Sequence, residues 1–316
     1  MTISGFTFMR NTAKLYYPLV ESILSILPIV DEFVIALGKG DDDDITPMLL
    51  NSIENKKIKI IHTLWDAAKF PNGTEYAHQT DIAKENCNGD WLFYLQSDEV
   101  VHEKYHTIIK TYCEKYLNDV NVDGFLFGYK HFFGDYSHFI DDHGWYQNEI
   151  RIIRNIPEIR SWGDAQSFKK VNPDDFKHYR QKNKTTKLNV VRIPAEIYHY
   201  GWVRPPALMQ TKSRAMDKMY HDPSKVEEEY NSKSINFDYG NLSRLNEFKE
   251  THPEVMNSFM LKFNWAEELN FNSSYKPKRN LMKHEKLKYR ILTFIEKKFF
   301  RGKHLFAFKN WNVINK

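Results

Sequence analysis

The run WLFYLQSDEV, residues 91–100, sets five apolar and aromatic residues directly before Gln96-Ser97-Asp98-Glu99. A strand of that composition belongs in a core, covered on both faces. Two carboxylates at its carboxyl end then need a reason: they end the strand in water, or they hold something. In open α/β sheets ligands bind at the carboxyl ends of strands. A carboxylate there can take a hard divalent cation that bridges nucleotide phosphates. Taken alone, a Ser-Asp-Glu turn fits a solvated strand end at least as well.

The chain on either side of this run has a regular rhythm. Residues 4–9, 31–37, 57–62 and 123–129 read as strands, and residues 15–27, 46–54, 74–87 and 103–117 as helices. Pro18 falls in the first turn of one helix, and Asn88-Gly89 stops another. Repeated β-α units predict an α/β fold with a mostly parallel central sheet flanked by helices. Beyond Tyr129 the rhythm breaks. Residues 131–148 look too polar for a buried strand, 149–153 and 189–193 read as strands, and 204–220 as a helix. The polar run 172–186 is either a lid or a solvated connection. Residues 222–278 read as helical and polar. Residues 286–300 place Leu287, Ile291, Ile295 and Phe299 at four-residue intervals among lysines, a basic amphipathic helix. The expected organisation is a domain over 1–221 and a helical, basic C-terminal extension over 222–316.

Composition bounds the class. With 41% hydrophobic and 27% charged residues, 316 residues suit a soluble globular protein of one or two domains. Two cysteines make no disulfide framework, so a reducing cytoplasm is expected. No secretory signal pattern opens the sequence. The apolar region 15–37 is interrupted by Pro18, Glu21, Pro28, Asp31 and Glu32, which excludes a membrane span there. The net charge of +4 hides an asymmetry: residues 276–316 hold 13 Lys and Arg against Glu285 and Glu296.

Several pieces fall in one order: MRN (9–11) after the first strand, VDEFVIALGKGDDDD (30–44) around the second, GDW (89–91) opening the fourth and SDE (97–99) closing it. The series resembles the family-two glycosyltransferases of the GT-A fold, whose usual pattern is "kNE", "vDEivvvDsgStDgT" and "gdWilflDaDE". The likeness covers residues 5–100 and continues more loosely through EIRIIRN (149–155) and YHYG (198–201). It implies a nucleotide-diphosphate-sugar donor, a glycan or lipid-linked glycan acceptor, inversion, and Mn2+ or Mg2+ as cofactor.

Carried over position by position, the resemblance makes Asp98 the second acid of a "DxD" metal motif and His199 the histidine that completes the metal site. Phe8, Met9, Arg10 and Asn11 would line the base and ribose, and Gly38 and Asp41 the glycine-rich turn. His78, Gln79 and Asp81 would approach the donor from the third helix. Gln96 and Ser97 would flank the diphosphate beside Asp98, and Arg204 and Lys212 could neutralise it. Two departures stand out: Gln96 replaces the first acid of the metal motif, and Ala36 or Leu37 replaces the acid that ends the second strand. The family's "HE" falls on Gln166 and Ser167, neither of which can serve as base. Asp164 is therefore the expected catalytic carboxylate, with Asp142 and Glu149 as rivals. Trp162 is a candidate sugar platform or simply core.

Two other classes stay open. A sugar-nucleotidyltransferase would carry a glycine-rich first loop, which MRNTAKLYYP lacks. A non-catalytic nucleotide- or glycan-binding protein would tolerate Gln96. The basic helix suits peripheral contact with an anionic membrane on the cytoplasmic face, or packing on the catalytic body. Nucleic acid is not expected as a partner, because no recognition motif accompanies the basic segment.

Overall fold

The computed structural model describes residues 1–314; Asn315 and Lys316, the end of the expected basic extension, lie outside the described residues. The first half alternates β1 (Ile3–Met9), α1 (Leu19–Ile26), β2 (Glu32–Gly38), α2 (Thr46–Asn51), β3 (Ile58–Thr63), α3 (Thr74–Glu85) and β4 (Trp91–Tyr94). Then come β5 (Glu99–Val101), α4 (His106–Lys115), β6 (Gly124–Phe133), β7 (His138–Ile140), β8 (Asn148–Arg154), β9 (Ile159–Trp162), β10 (Ser167–Val171), β11 (Thr185–Thr186) and β12 (Leu188–Trp202). The remainder holds α5 (Pro206–Tyr220), α6 (Pro223–Asn231), β13 (Asn246–Glu247), α7 (Asn257–Met260), α8 (Leu287–Phe299) and β14 (Trp311–Val313).

The architecture is α/β, with helices packed on a large curled sheet of order β13-β7-β6-β8-β4-β1-β2-β3. β3, β2, β1 and β4 are parallel, as expected for strands buried on both faces. Trp91, Phe93 and Leu95 pack with α1 and α4, while Leu92 and Tyr94 pack with α3. All five are fully buried, and each contributes roughly 1.5–3 kcal/mol of hydrophobic stabilisation. β8 runs antiparallel between β4 and β6, and β12 lies parallel to β6 and antiparallel to β5.

Two consequences position the site. β1 has β2 on one side and β4 on the other, so the connections diverge and leave a crevice at the strands' carboxyl ends. β12 then returns into that crevice, with His199 in register with Glu99 on β5 and with His131 on β6.

Four expectations change. Part of 131–148 enters the sheet: β6 continues to Phe133 and β7 follows, because Phe132, Phe133 and Ile140 are buried and the buried His131 finds polar partners, while 141–147 form a turn. The strand expected at 189–193 runs on to Trp202, with Pro194 accommodated where the register shifts between Arg192 and Glu196. The β9–β10 hairpin was not anticipated. Residues 222–278 are mostly short turns and loops rather than helix, broken at Gly240, Pro253 and Pro277. They are not polar all round: Met256, Phe259 and Trp265 pack on Tyr198 and Tyr200, and Tyr239 and Leu242 pack on Phe133. The extension thus shares its core with the sheet.

Candidate active site

The two acids of QSDE have opposite fates. Glu99 is fully buried and accepts two bonds from Arg151, Nη2 at 2.7 Å and Nε at 2.8 Å. It also accepts from Tyr129 Oη at 2.8 Å and from the Gln96 backbone N–H at 3.1 Å. Its lone pairs are committed, so Glu99 holds the turn and cannot also serve a ligand. Asp98 is aimed into the crevice beside His199, with Nε2 3.5 Å from Oδ2. Burial opposes its ionisation, yet His199, Lys212 and Arg204 together hold its carboxyl well below the usual range.

A second histidine orients the first. His131 Nε2 lies 2.7 Å from the Tyr146 carbonyl, which can only accept, so that nitrogen carries the proton. Burial and the field of His199 hold His131 well below the ordinary histidine range, so it is neutral. Its Nδ1 is therefore an acceptor and takes the proton of His199 Nδ1 at 3.0 Å. Nε2 of His199 is left as the nitrogen facing Asp98, the arrangement by which metal-ligating histidines are usually fixed. Gly201 keeps the space between them open: a Cβ there would stand 2.5 Å from Asp98 Oδ2 and 2.6 Å from His199 Nε2.

Among the described residues no three His, Cys, Asp or Glu side chains gather as a metal group. The protein offers two donors, Asp98 and His199. These fit a hard divalent cation that takes the rest of its shell from phosphate oxygens and water.

Two cations, Arg204 just before α5 and Lys212 within it, close this side. Arg204 has no exposure and donates Nη1 to the Leu15 carbonyl at 2.7 Å, while Nε and Nη2 have no partner. Its guanidinium lies 4.5 Å from the Tyr17 ring centroid. Lys212 is nearly buried, and burial and then Arg204 push its ammonium down to about 7. A buried guanidinium with two unpartnered nitrogens is costly unless an anion reaches it.

The turn after β1 and the turn after β2 are laced together. Asn11, at φ 54°, accepts from the Asp41 N–H at 2.8 Å, and its own N–H donates to Asp44 at 3.0 Å. Asp41 also binds Lys14 at 2.9 Å. Phe8 faces the crevice, stacked on Tyr76 at 5.6 Å and tilted against Trp65 at 5.9 Å. Trp65 lies over Gly38, and Arg10 sits above its ring at 5.3 Å. Met9, by strand alternation, points instead into the core.

From α3 it is Tyr76 that meets this wall. The three residues expected to do so turn elsewhere. Gln79 bonds Thr63 and Glu75, Asp81 accepts from the Ser161 N–H and from Arg160, and His78 stacks on Phe70 at 3.9 Å. His78 and Asp81 line a separate cleft of about 610 Å³ under residues 176–180. Tyr17, Trp65, Tyr76, His131 and Tyr220 were not foreseen, because a lone ring in sequence carries no mark of the face it will take.

The three candidate bases also separate. Asp164 sits in the β9–β10 turn, between Gly163 and Ala165, both at positive φ. Tyr220 Oη donates to it at 2.7 Å. Gln96 binds the Ala165 carbonyl at 3.3 Å and so ties this turn to the strand end that carries Asp98. Trp162 is half-buried with Lys169 Nζ 4.1 Å from its ring centroid. Asp142 is engaged by Lys297 at 3.2 Å, on the side where α8 packs. Glu149 is buried beneath Gln166, whose Nε2 donates to it at 2.9 Å.

Burial pushes the Glu149 carboxyl up to about 8, against the opposing pull of Arg151. The unfolded chain releases this proton from about 4.5 upward and the native chain retains it to about 8, so Glu149 costs stability progressively across that window. Glu149→Gln is expected to raise the Tm more at pH 8 than at pH 5, by a margin on the order of a few kcal/mol in stability. A gain independent of pH would count against this protonation state.

No protein-family model matches the chain, and no curated protein matches it. Among solved structures, S. aureus TarS aligns over 72% of this chain and 42% of its own, at 12% identity and TM-score 0.39. The aligned region is thus under half the length of that protein. The 1–349 portion of TarS in complex with UDP aligns over 85% and 77%, at 14% identity and TM-score 0.37. Glucosyl-3-phosphoglycerate synthase from Mycobacterium tuberculosis, in complex with Mn2+, UDP and glucosyl-3-phosphoglycerate, aligns over 42% and 44%, at 16% identity and TM-score 0.28.

Proposed function

We propose that this chain is a GT-A-type glycosyltransferase that moves a sugar from a nucleotide-diphosphate donor to a hydroxyl of a glycan or lipid-linked glycan. One observation carries the reading: the buried Arg204 guanidinium, with two unpartnered nitrogens, stands with Lys212 beside Asp98 at the carboxyl ends of the strands. A diphosphate satisfies that guanidinium with paired, charge-assisted hydrogen bonds. Asp98 and His199 would hold Mn2+ or Mg2+, which when bound supplies positive charge to the departing diphosphate. Phe8, Trp65 and Tyr76 offer the apolar wall for the nucleoside.

Asp164 is our choice of base. Asp142 is engaged by Lys297, and Glu149 keeps its proton at neutral pH. In the transfer, the acceptor hydroxyl gives its proton to Asp164 and its oxygen bonds the anomeric carbon. The bond from that carbon to the diphosphate oxygen breaks on the opposite face, and the nucleoside diphosphate leaves. Tyr220 fixes the carboxylate's direction.

The test is a panel of nucleotide sugars, with binding by calorimetry and hydrolysis or transfer with and without Mn2+. Wild type should bind at least one donor and turn it over. Asp164→Asn should keep donor affinity and lose roughly 10²- to 10⁴-fold in kcat. Binding without turnover across the panel would make the chain a nucleotide-binding protein, and neither binding nor turnover would end the reading.

A further inference from the structure

Among the described residues no helix is long and apolar enough to cross a membrane, yet α8 is turned inside out. Its buried face is polar. The His143 backbone N–H donates to Thr293 Oγ1 at 2.9 Å, and the His143 ring bonds Glu296 at 2.7 Å. Glu296 is buried and also receives the Leu305 N–H at 2.6 Å. Lys297 reaches Asp141 at 2.6 Å, and Gln147 reaches the Gly302 carbonyl at 2.7 Å. These contacts dock the helix mainly through hydrogen bonds; Tyr289, Leu292 and Ile295 are half-buried, and Leu287, Ile291, Phe294 and Phe299 are left exposed on the outward side.

That side is large. Leu287 is 68% exposed, Phe294 60% and Phe299 65%, and in the following loop Phe306 is 94% and Phe308 82% exposed. Lys288, Arg290, Lys298, Lys303 and Lys309 are exposed along the same segment. Lys298 lies 5.4 Å from the ring centroids of both Phe294 and Phe299. The segment's two acids are already used, Glu285 by Arg279 at 2.6 Å and Glu296 by His143. The outward charge is therefore entirely positive. A second copy of this chain would bring like charges together, whereas an anionic bilayer accepts the rings into its boundary and the lysines among its phosphates.

We infer that residues 287–309 form a surface on which the protein lies in the plane of an anionic phospholipid bilayer. The docking contact is close to the site, since His143 and Tyr146 belong to one turn and the Tyr146 carbonyl holds His131. On the proposed transferase reading, docking sets the Asp98 crevice beside the membrane, where a lipid-linked acceptor is presented.

Vesicle co-sedimentation of the full chain tests the surface without reference to activity, so it can fail or succeed independently of the transferase reading. Phosphatidylcholine vesicles with about 30% phosphatidylglycerol should pellet the protein, pure phosphatidylcholine should not, and raising NaCl from about 0.1 to about 0.5 M should release it. Phe294→Ser/Phe306→Ser/Phe308→Ser and, separately, Lys298→Glu/Lys303→Glu should each weaken binding at least about tenfold with an unchanged melting curve. No pelleting with anionic vesicles, equal pelleting of both variants, or a wild-type dimer that the phenylalanine variant dissolves would each overturn the inference.

Discussion

Asp98→Asn is expected to lower donor turnover by about a thousandfold or more, the loss typical when one preorganised charge is removed from a reacting centre. The substitution keeps the side chain's size and takes only the charge. That charge now faces His199 at 3.5 Å and lies in the field of Lys212 and Arg204. Without it, two buried cations lose their counterion, and the proposed cation site keeps only neutral donors, the amide oxygen of the substituted side chain and His199. Mn2+ affinity, read by calorimetry or by the spin resonance of free Mn2+, should fall with the rate. The Gly201 gap and the His131–His199 bond do not depend on the charge, so the chain should still fold, at a lower Tm because Arg204 and Lys212 lose their counterion, and the melting curve checks this. Wild-type turnover in Asp98→Asn would move the diphosphate site elsewhere.

The neighbouring acid fails differently. Glu99→Ala or Arg151→Met should each cost about 3–5 kcal/mol, because each strands a fully buried charge. For a chain of this size that is a fall in Tm on the order of 5–10 °C. The pair is unexposed on both sides and bidentate, and Tyr129 and the Gln96 N–H complete the Glu99 shell. The double variant Glu99→Gln/Arg151→Met should recover much of the loss, since neither charge is then left alone. Singles that each cost under about 1 kcal/mol would show that the pair is dispensable. Adjacent residues thus separate function from stability: Asp98 variants should fold and not turn over, while Glu99 variants should unfold early.

The parallel half of the sheet was legible because its determinants are local. The apolar run 91–95 has to be buried on both faces, and helical periods flank it. The order MRN, GDW, SDE marked the crevice for the same reason, since strand ends follow from strand positions. What failed was long-range. Residues 131–148 look too polar for a buried strand because the partner of His131 lies 68 residues on, at His199. The resemblance places His78, Gln79 and Asp81 on the donor side. α3 packs against both the sheet and β9, so only Tyr76 among its central residues meets Phe8.

By itself the sequence determined the α/β half-sheet, the strand end on which both acids of QSDE sit and the charge of the basic segment, all consequences of composition and short spacing. Tertiary structure alone decided which acid of QSDE is free. Glu99 is neutralised by Arg151 on β8, 52 residues away, and that contact forms only when β8 inserts antiparallel beside β4. It also decided that α8 turns its hydrogen-bonding face inward, because the His143 turn offers polar partners to Thr293 and Glu296.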